Sequence, residues 1–564
     1  MSLRTAVALL ACASSTLALA QATNPLPHIE TRDNRHALIV DGHPYLLLGA
    51  QINNSSSWPS TLPAAWAAAE AMHVNTVEAP VYWEQLEPAR GTFDFSTVDL
   101  LVTQAREHHL HLVLLWFGTW KNGQNHYVPE WVKSDTSTYP RELDAYGKLL
   151  DVMSNVSQSN LNADRAAFAA LMRHLKQLDS AEHTVLMIQV ENESGSVGSV
   201  RDFSPAAQKL FEAPVPADLT HALHLPTGLS WSRTFGADAD ESFAAFHTAR
   251  YINAVAAAGK AEYPLPMYCN VWIVYPVHAL ETRNRASPGQ EYPSGGPQQP
   301  NVPIWKAAAP AIDILAPDFY SDDATVYRDT LAVYRRADNP IFIPETHVGV
   351  NFGRYLFYAL GSDAIGFSPF GIDRAQPPGP EAIAAANNYA LLDPIGPLLA
   401  RLSFEGRLQT AVEEKGAVRQ TLHFPAATPA ATAVEAVASF GFPQSDGAEP
   451  PGTPTLQGRT LVAQLGPLEF LVTGFDASVL FRLPNSPGSP STFPPASPAT
   501  RAQTRQLELL RAEEGRYVNG AWQATRILNG DQTDRGVQFH GSNPPLVRLL
   551  FHTIPLYDDA LRRP

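Results

Sequence analysis

Cysteine is nearly absent: the 564 residues include two. Cys12 lies in an apolar N-terminal stretch, which leaves Cys269 alone in the rest of the chain. With that stretch removed no intrachain disulfide can form, even in an oxidising compartment, so stability has to come from core burial. Cys269 sits in the apolar run Met267-Tyr268-Cys269-Asn270-Val271-Trp272 and reads as a packed residue rather than a nucleophile. Positive charge is also in short supply. Forty Lys and Arg face 55 Asp and Glu, and the formal charge of −15 argues against nucleic acid or an anionic membrane as partner. Past the N-terminus no 18 apolar residues run unbroken, so no membrane span is expected. There is no His-Glu-x-x-His, no Gly-rich phosphate loop and no Gly-x-Ser-x-Gly. The 18 histidines are scattered, and neither a metal nor a cofactor is expected.

What is present is globular: 45% hydrophobic and 17% charged residues, in a chain long enough for two or three domains. Arg4, the small and apolar run Ala6 to Ala20, and Ala18-Leu19-Ala20 before Gln21 read as an export signal over residues 1–20. That predicts a periplasmic or secreted protein. A lipoprotein signal at Leu9-Leu10-Ala11-Cys12 ranks second, because the run ahead of Cys12 is short.

From about residue 36 to 400, short apolar runs alternate with longer helical patterns, the signature of βα units. A tight hairpin is expected at Asp41-Gly42. Eight strands follow: 45–49, 75–78, 111–117, 185–190, 267–272, 312–316, 341–344 and 364–367, with helices at 64–72, 98–108, 166–178 and 241–258. The expected fold class is therefore α/β, a (β/α)8 barrel over residues 21–400. Residues 401–564 change character. Alternating runs at 418–424 and 432–440, with apolar-rich runs at 468–472, 506–510 and 546–553, predict a β-rich, sandwich-like accessory domain. Pro443 to Pro454 and Pro484 to Pro498 read as long loops.

Two of the apolar runs end in carboxylates. Ile188-Gln189-Val190-Glu191-Asn192-Glu193 closes strand four, and Pro340-Ile341-Phe342-Ile343-Pro344-Glu345 closes strand seven. Catalytic groups of such barrels stand at the C-terminal ends of strands, and a glycosidic bond is cleaved between two facing carboxyl groups. Strand alternation puts Glu191 and Glu193 on the same side, so either qualifies as the acid on pattern alone. A single Glu at a strand end is more often structural than catalytic, and it is the pair that gives the pattern weight.

Placed on strands four and seven, this pair resembles that of the retaining (β/α)8 glycosidases. Within that clan Gln189-Val190-Glu191-Asn192-Glu193 is similar to the acid/base motif of glycoside hydrolase family 35, the β-galactosidases. Asn75-Thr76-Val77-Glu78, followed by Trp83-Glu84-Gln85-Leu86-Glu87-Pro88-Ala89-Arg90-Gly91-Thr92-Phe93-Asp94-Phe95, resembles that family's strand-two segment. The C-terminal part, with Arg526-Ile527-Leu528-Asn529-Gly530-Asp531, resembles the β-rich domain of a bacterial subgroup that trims galactose from plant cell-wall polysaccharides such as xyloglucan. The resemblance implies Glu193 as general acid/base, because the clan places Asn just before it, and Glu345 as nucleophile. It implies Asn192 on the sugar 2-hydroxyl, Glu191 as a sugar ligand or a support behind one, and Tyr320 as the residue orienting the nucleophile. A core aromatic is the competing reading of Tyr320. Trp116, Trp120 and Trp272 fall where aromatic faces could stack on sugars, though core or rim packing is the first reading of each. Glu84 and Glu87 follow strand two, and Glu87-Pro88 reads as a structural turn.

The chain also departs from the family. Gly118-Thr119 stands where an Ala-Glu pair follows strand three, so a galactose-binding carboxylate is missing and Lys121 or Asn122 is the candidate replacement. His347 stands in place of a tyrosine two residues past the nucleophile. Both changes bear on the substrate, not on hydrolysis. The expectation is an exported retaining exo-β-galactosidase whose partner is a carbohydrate. Another sugar specificity in the clan, or a non-catalytic carbohydrate-binding barrel, are the alternatives.

Overall fold

The computed structural model describes residues 25–275, 286–374, 379, 382–426, 432–442, 450–484 and 505–555. Residues 1–20, read from sequence as an export signal, and Cys12 within them lie outside the described residues, as do 443–449 and 485–498 of the two proline-rich stretches.

Eight parallel strands close into a barrel: β1 Leu47–Gln51, β2 Thr76–Tyr82, β3 His111–Phe117, β4 Val185–Val190, β5 Met267–Trp272, β6 Ile314–Phe319, β7 Phe342–Thr346 and β8 Gly366–Pro369. Closure is through β8 and β1, where Gly366 pairs with Leu47 and Phe367 with Leu48. The strands are buried on both faces, which is why His-Leu-Val-Leu-Leu-Trp-Phe of β3 is a continuous apolar run rather than an alternating one. Strands β3, β4 and β5 coincide with the apolar runs in the sequence. β2, β6 and β7 run two to four residues further, through Ala79–Tyr82, Pro317–Phe319 and Glu345–Thr346. Polar residues end a strand in an open sheet; here they point into the enclosed top of the barrel, and pairing continues past them.

Polar side chains fix where strands begin. Asp179, at the end of the helix Gln158–Asp179, accepts from the amides of Thr184 (3.0 Å) and Val185 (2.7 Å) and pairs with Arg106 (2.7 Å), which seats the start of β4. Asn339 accepts from the Leu315 amide (2.8 Å) in the same manner for β6. At the bottom, the predicted turn at Asp41-Gly42 has both residues at positive φ (51° and 80°), as a tight hairpin requires. Leu38 and Val40 of that hairpin share a core with Leu47, Val113, Leu115, Tyr268 and Phe342, and so plug the barrel floor.

After the helix Gly396–Phe404 the chain forms two antiparallel sheets. One has six strands, bounded by Leu408–Val412 at one edge and Ala521–Leu528 at the other. The second has four: Arg419–Phe424, Val434–Phe440, Ala477–Arg482 and Val537–Phe539. They enclose a core of their own, with Phe424, Phe440, Val472, Phe470, Val479 and Phe539 from both sides. Leu408, Val412, Leu461 and Phe475 instead join the core of the barrel, so the sandwich is welded to it by apolar contact. No helix among the described residues is long and apolar enough to cross a membrane.

Candidate functional site

β4 stops at Val190, and the next three residues leave the sheet abruptly. Glu191 and Glu193 are both left-handed, at φ 65° and 46°, a conformation uncommon outside glycine that persists only where surrounding contacts hold it. The contacts are present. The Asn192 amide donates to the Trp120 carbonyl (3.2 Å), and the Glu193 amide to Asn270 Oδ1 (2.9 Å). Asn270, on β5, in turn donates to Asp318 Oδ2 on β6 (2.9 Å). Because 191–193 are not extended, strand alternation does not apply, and the two glutamates go to different places.

Glu193 enters a group of carboxyls at the C-terminal ends of the strands with Glu345 (β7), Asp318 (β6) and Glu78 (β2). Asp318 and Glu345 are direct register neighbours. All four are buried. Burial, then the charge of Glu345, pushes Glu193 up to about 8. Burial also raises Glu78 to about 8, against the hydrogen bond from Tyr268, and lifts Asp318 well above the carboxylate range. Tyr320 donates to Glu345 Oε1. The other oxygen, Glu345 Oε2, is buried with no protein partner. Three carboxyls that burial pushes toward their neutral form thus surround Glu345, which keeps one oxygen without a partner.

A tight turn supplies the remaining polar groups. Lys121 and Gln124 exchange backbone hydrogen bonds (2.8 and 3.2 Å) across Asn122 and Gly123, both at positive φ (53° and 68°), the geometry for which Asn-Gly is the favoured pair. A side chain at 123 would also meet Val197 Cγ2 at 2.7 Å. Successive residues of the turn then take successive residues of the motif: Lys121 Nζ donates to Asn192 Oδ1 (2.9 Å), and Asn122 Nδ2 to Glu193 Oε2 (2.6 Å).

Of the residues singled out from sequence, Glu193, Glu345, Asn192, Tyr320 and Asn122 converge here. Glu191 and Trp120 do not: stacking by Trp120 is corrected, and of the two roles expected of Glu191 the support remains while the sugar contact does not. Glu191 faces away from the carboxyl group, accepting from the Trp120 amide (2.7 Å) beside Asp164, because its left-handed φ turns it out of the β4 alternation. It supports the loop and presents nothing to a sugar. Trp120 is fully buried, its ring edge-on to Tyr251 at 5.0 Å, so it offers no free face for stacking. Trp116 is buried likewise and donates to Asp164 (3.0 Å). Trp272 is 40% exposed and pairs in register with Asp318, which puts it at the level of the site. His347 is exposed after β7 and accepts from the Gly349 amide (2.8 Å). Glu87 accepts from Trp83 Nε1 and the Gly91 amide, as a structural turn would.

Glu78, Asp318, Tyr268 and Asn270 were not singled out. Glu78 and Asp318 carried a usable signal, since each is a lone acid inside or just after an apolar strand run, like Glu345. Asn270 and Tyr268 stand in an apolar run that reads as core. Among the described residues no group of three or more His, Cys, Asp and Glu suits a metal ion. A cavity of about 750 Å³ between the helix Ile383–Leu392 and the sandwich contains none of the residues above.

Comparison with known proteins agrees with this picture in part. The family model of the glycoside hydrolase 42 β-galactosidases matches residues 55–236, which takes in β2 to β4 and Glu193 but stops short of Glu345. A family described as a domain of unknown function matches residues 385–540. A β-galactosidase of Xanthomonas manihotis is 30% identical over 166 residues, 28% of this chain and 25% of the relative, so the match spans a quarter of that relative's length. The β-galactosidase structure of Bacillus circulans sp. alkalophilus gives a TM-score of 0.45 at 14% identity, over 63% of this chain and 57% of that one. The β-galactosidase of the psychrophilic Marinomonas ef1 gives 0.44 at 10%, over 63% and 61%. Likenesses this loose support no inference about activity. The first half of the barrel is β-galactosidase-like in sequence.

Proposed function

We propose that the protein is a retaining glycosidase that removes terminal β-galactosyl residues. The observation that carries the reading is the division of labour between two buried carboxyls: Glu193 keeps its proton to about pH 8, while Glu345 is held through one oxygen by Tyr320 and has the other free. In the first step Glu345 Oε2 attacks the anomeric carbon as Glu193 gives its proton to the departing glycosidic oxygen. The product is a glycosyl ester on Glu345. Glu193, now ionised, takes a proton from water, whose oxygen attacks the same carbon and releases Glu345. Asn122 donates to Glu193 throughout and supports its ionised form between the steps. Asn192 Nδ2 meets the sugar 2-hydroxyl, a contact that strengthens in the transition state.

Galactose as the sugar is supported by the β-galactosidase match to residues 55–236 and by the motif around Glu193. Family 35, exo action on plant cell-wall oligo- and polysaccharides such as xyloglucan, and export to the periplasm or medium rest on the sequence resemblance and on residues 1–20. The test is a panel of nitrophenyl glycosides with the wild type, Glu193→Ala and Glu345→Ala, the anomer of the first product being read by proton NMR. Release of the β-galactoside with retention, lost in both variants, is the expected result. Cleavage of another sugar would move the specificity and keep the mechanism. A folded wild type that binds galactosides and cleaves nothing would replace the reading with a carbohydrate-binding barrel.

A further inference from the structure

Lys121 is 4% exposed and makes no ion pair among the described residues, although Glu193 and Asp318 are close enough to feel its charge. A buried ammonium without an ion pair is costly, and such groups persist where a specific contact uses them. Its contact is Asn192 Oδ1, at 2.9 Å. An ammonium has three donors and no acceptor, while an amide has one end that accepts and one that donates. Lys121 therefore decides which way the Asn192 amide faces: the oxygen must turn to the lysine, and the nitrogen must turn away. That nitrogen, Asn192 Nδ2, is buried and has no partner in the protein. A buried donor left open needs an acceptor from elsewhere.

Resting on the glycosidase reading, we infer that Lys121 is a positioning residue that locks the Asn192 amide with its nitrogen toward the substrate, so that the site demands a hydroxyl oxygen at the sugar's 2-position. The Asn122-Gly123 turn is what makes the lock rigid. It delivers Lys121 to Asn192 and Asn122 to Glu193 from one two-residue tip, and Lys121 Nζ lies 5.2 Å from the Phe117 ring centroid, whose face favours a cation. Without the lysine the amide is free to invert. A hydroxyl can answer either end of an amide, so what the lysine supplies is a fixed amide, and one that turns between two orientations holds the 2-hydroxyl less well.

The alternative role, a counter-charge for the carboxyl group, makes a different prediction. A counter-charge alters rates and pH profiles of every substrate alike. A positioning residue alters one contact. The experiment is kcat/KM for the nitrophenyl β-galactoside and its 2-deoxy counterpart, or the equivalent pair for whichever sugar the wild type cleaves, in wild type, Lys121→Met, Asn192→Ala and the double variant. The wild type is expected to prefer the 2-hydroxy substrate roughly 100-fold or more, since a site built around a hydroxyl rejects its absence. In Lys121→Met that preference should fall at least fivefold, toward the value for Asn192→Ala, with no further fall in the double variant. A preference in Lys121→Met that falls less than fivefold overturns the inference while leaving the glycosidase reading intact. A wild type that cleaves no glycoside removes the reading and the inference together. Where Lys121→Met does not fold by circular dichroism, Lys121→Arg and Lys121→Gln decide: arginine donates only and should retain the preference, whereas glutamine presents either end of its amide and should lose it. Equal preference in these two also overturns the inference.

Discussion

Asn192 is flanked by two glutamates that share almost every property by which a catalytic group is picked out. Glu191 and Glu193 are both buried, both left-handed, both beside another carboxyl and both raised in pKa, chiefly by burial. They differ in what they touch. Glu191 accepts a backbone amide, and its acidic neighbour Asp164 is held by Trp116 and Thr119. Glu193 meets side chains only at its carboxyl: Asn122, and a field set by Glu345, Asp318 and Lys121. One carboxyl is tied to the scaffold and the other is left with groups that can change state. A perturbed pKa marks both; only the partners separate structure from chemistry.

The comparison breaks or holds first on kcat. Glu345→Ala should lower kcat by on the order of 10⁵, as expected where the covalent nucleophile is removed. Glu193→Ala should cost roughly 10²–10⁴ with a nitrophenyl leaving group that still needs a proton, and less with a dinitrophenyl one that needs none. Glu191→Gln keeps an acceptor for the Trp120 amide, and its kcat should stay within about tenfold of wild type. Steady-state kinetics on variants matched by circular dichroism decides: a folded Glu191→Gln as dead as Glu193→Ala would put the acid on the wrong residue.

Next in size is the hydrogen bond from Tyr320. Hydrogen bonds to a charged partner contribute about 1.5–3 kcal/mol, which corresponds to roughly 10- to 100-fold in rate. Tyr320→Phe should lower kcat by that factor through Glu345 and leave the pH profile of Glu193 in place. A Tyr320→Phe enzyme with wild-type kcat would return Tyr320 to the role of a rim aromatic. The pH profile itself sharpens the contrast. Activity should fall as pH rises through about 8, because Glu193 then loses the proton it must donate, and the fall should vanish in Glu193→Ala assayed with a dinitrophenyl substrate. Persistence of the same limb in that variant would assign it to Asp318 or Glu78.

The barrel was legible because its strands are apolar throughout: β3, β4 and β5 stop where apolar residues stop, and the runs could be counted. β2, β6 and β7 read too short, since Glu78, Asp318 and Glu345 mark a strand's end only if water waits beyond it, and here the barrel's own interior does. Of the site, the glutamates closing strands four and seven stood out from sequence, while the choice of Glu193 over Glu191 and the role of Tyr320 came with the family resemblance. The fates of Glu191 and Trp120 did neither. They depend on left-handed φ values at 191 and 193, and no local propensity predicts these at glutamate; the hydrogen bonds from Asn192 and Glu193 to Trp120 and Asn270 impose them. The Lys121-Asn122-Gly123 turn was readable as a turn, but not its alignment with Asn192-Glu193, 71 residues away.

The smallest effect tests Glu191 in its own terms. Its folded pKa lies well above 4.5, and Asp164 beside it is raised as well. In the unfolded chain both carboxyls ionise near their ordinary values, so above about pH 4.5 the folded state has to hold a proton that the unfolded state releases. The sign follows. The contribution of each such group to stability is greatest below that pH and falls as pH rises toward its folded pKa, by at most about 1.4 kcal/mol per pH unit. Glu191→Gln carries no proton at 191 and removes one group from that slope. The difference between its midpoint of thermal unfolding and that of wild type should therefore be smallest near pH 4.5 and move in favour of Glu191→Gln as pH rises above 5. A scaffold carboxyl behaves in this way whatever the enzyme acts on. Parallel curves for the two proteins would mean that Glu191 is ionised when folded, with a cation or water as its partner in place of Asp164, and the two sides of Asn192 would then be more alike than their contacts indicate.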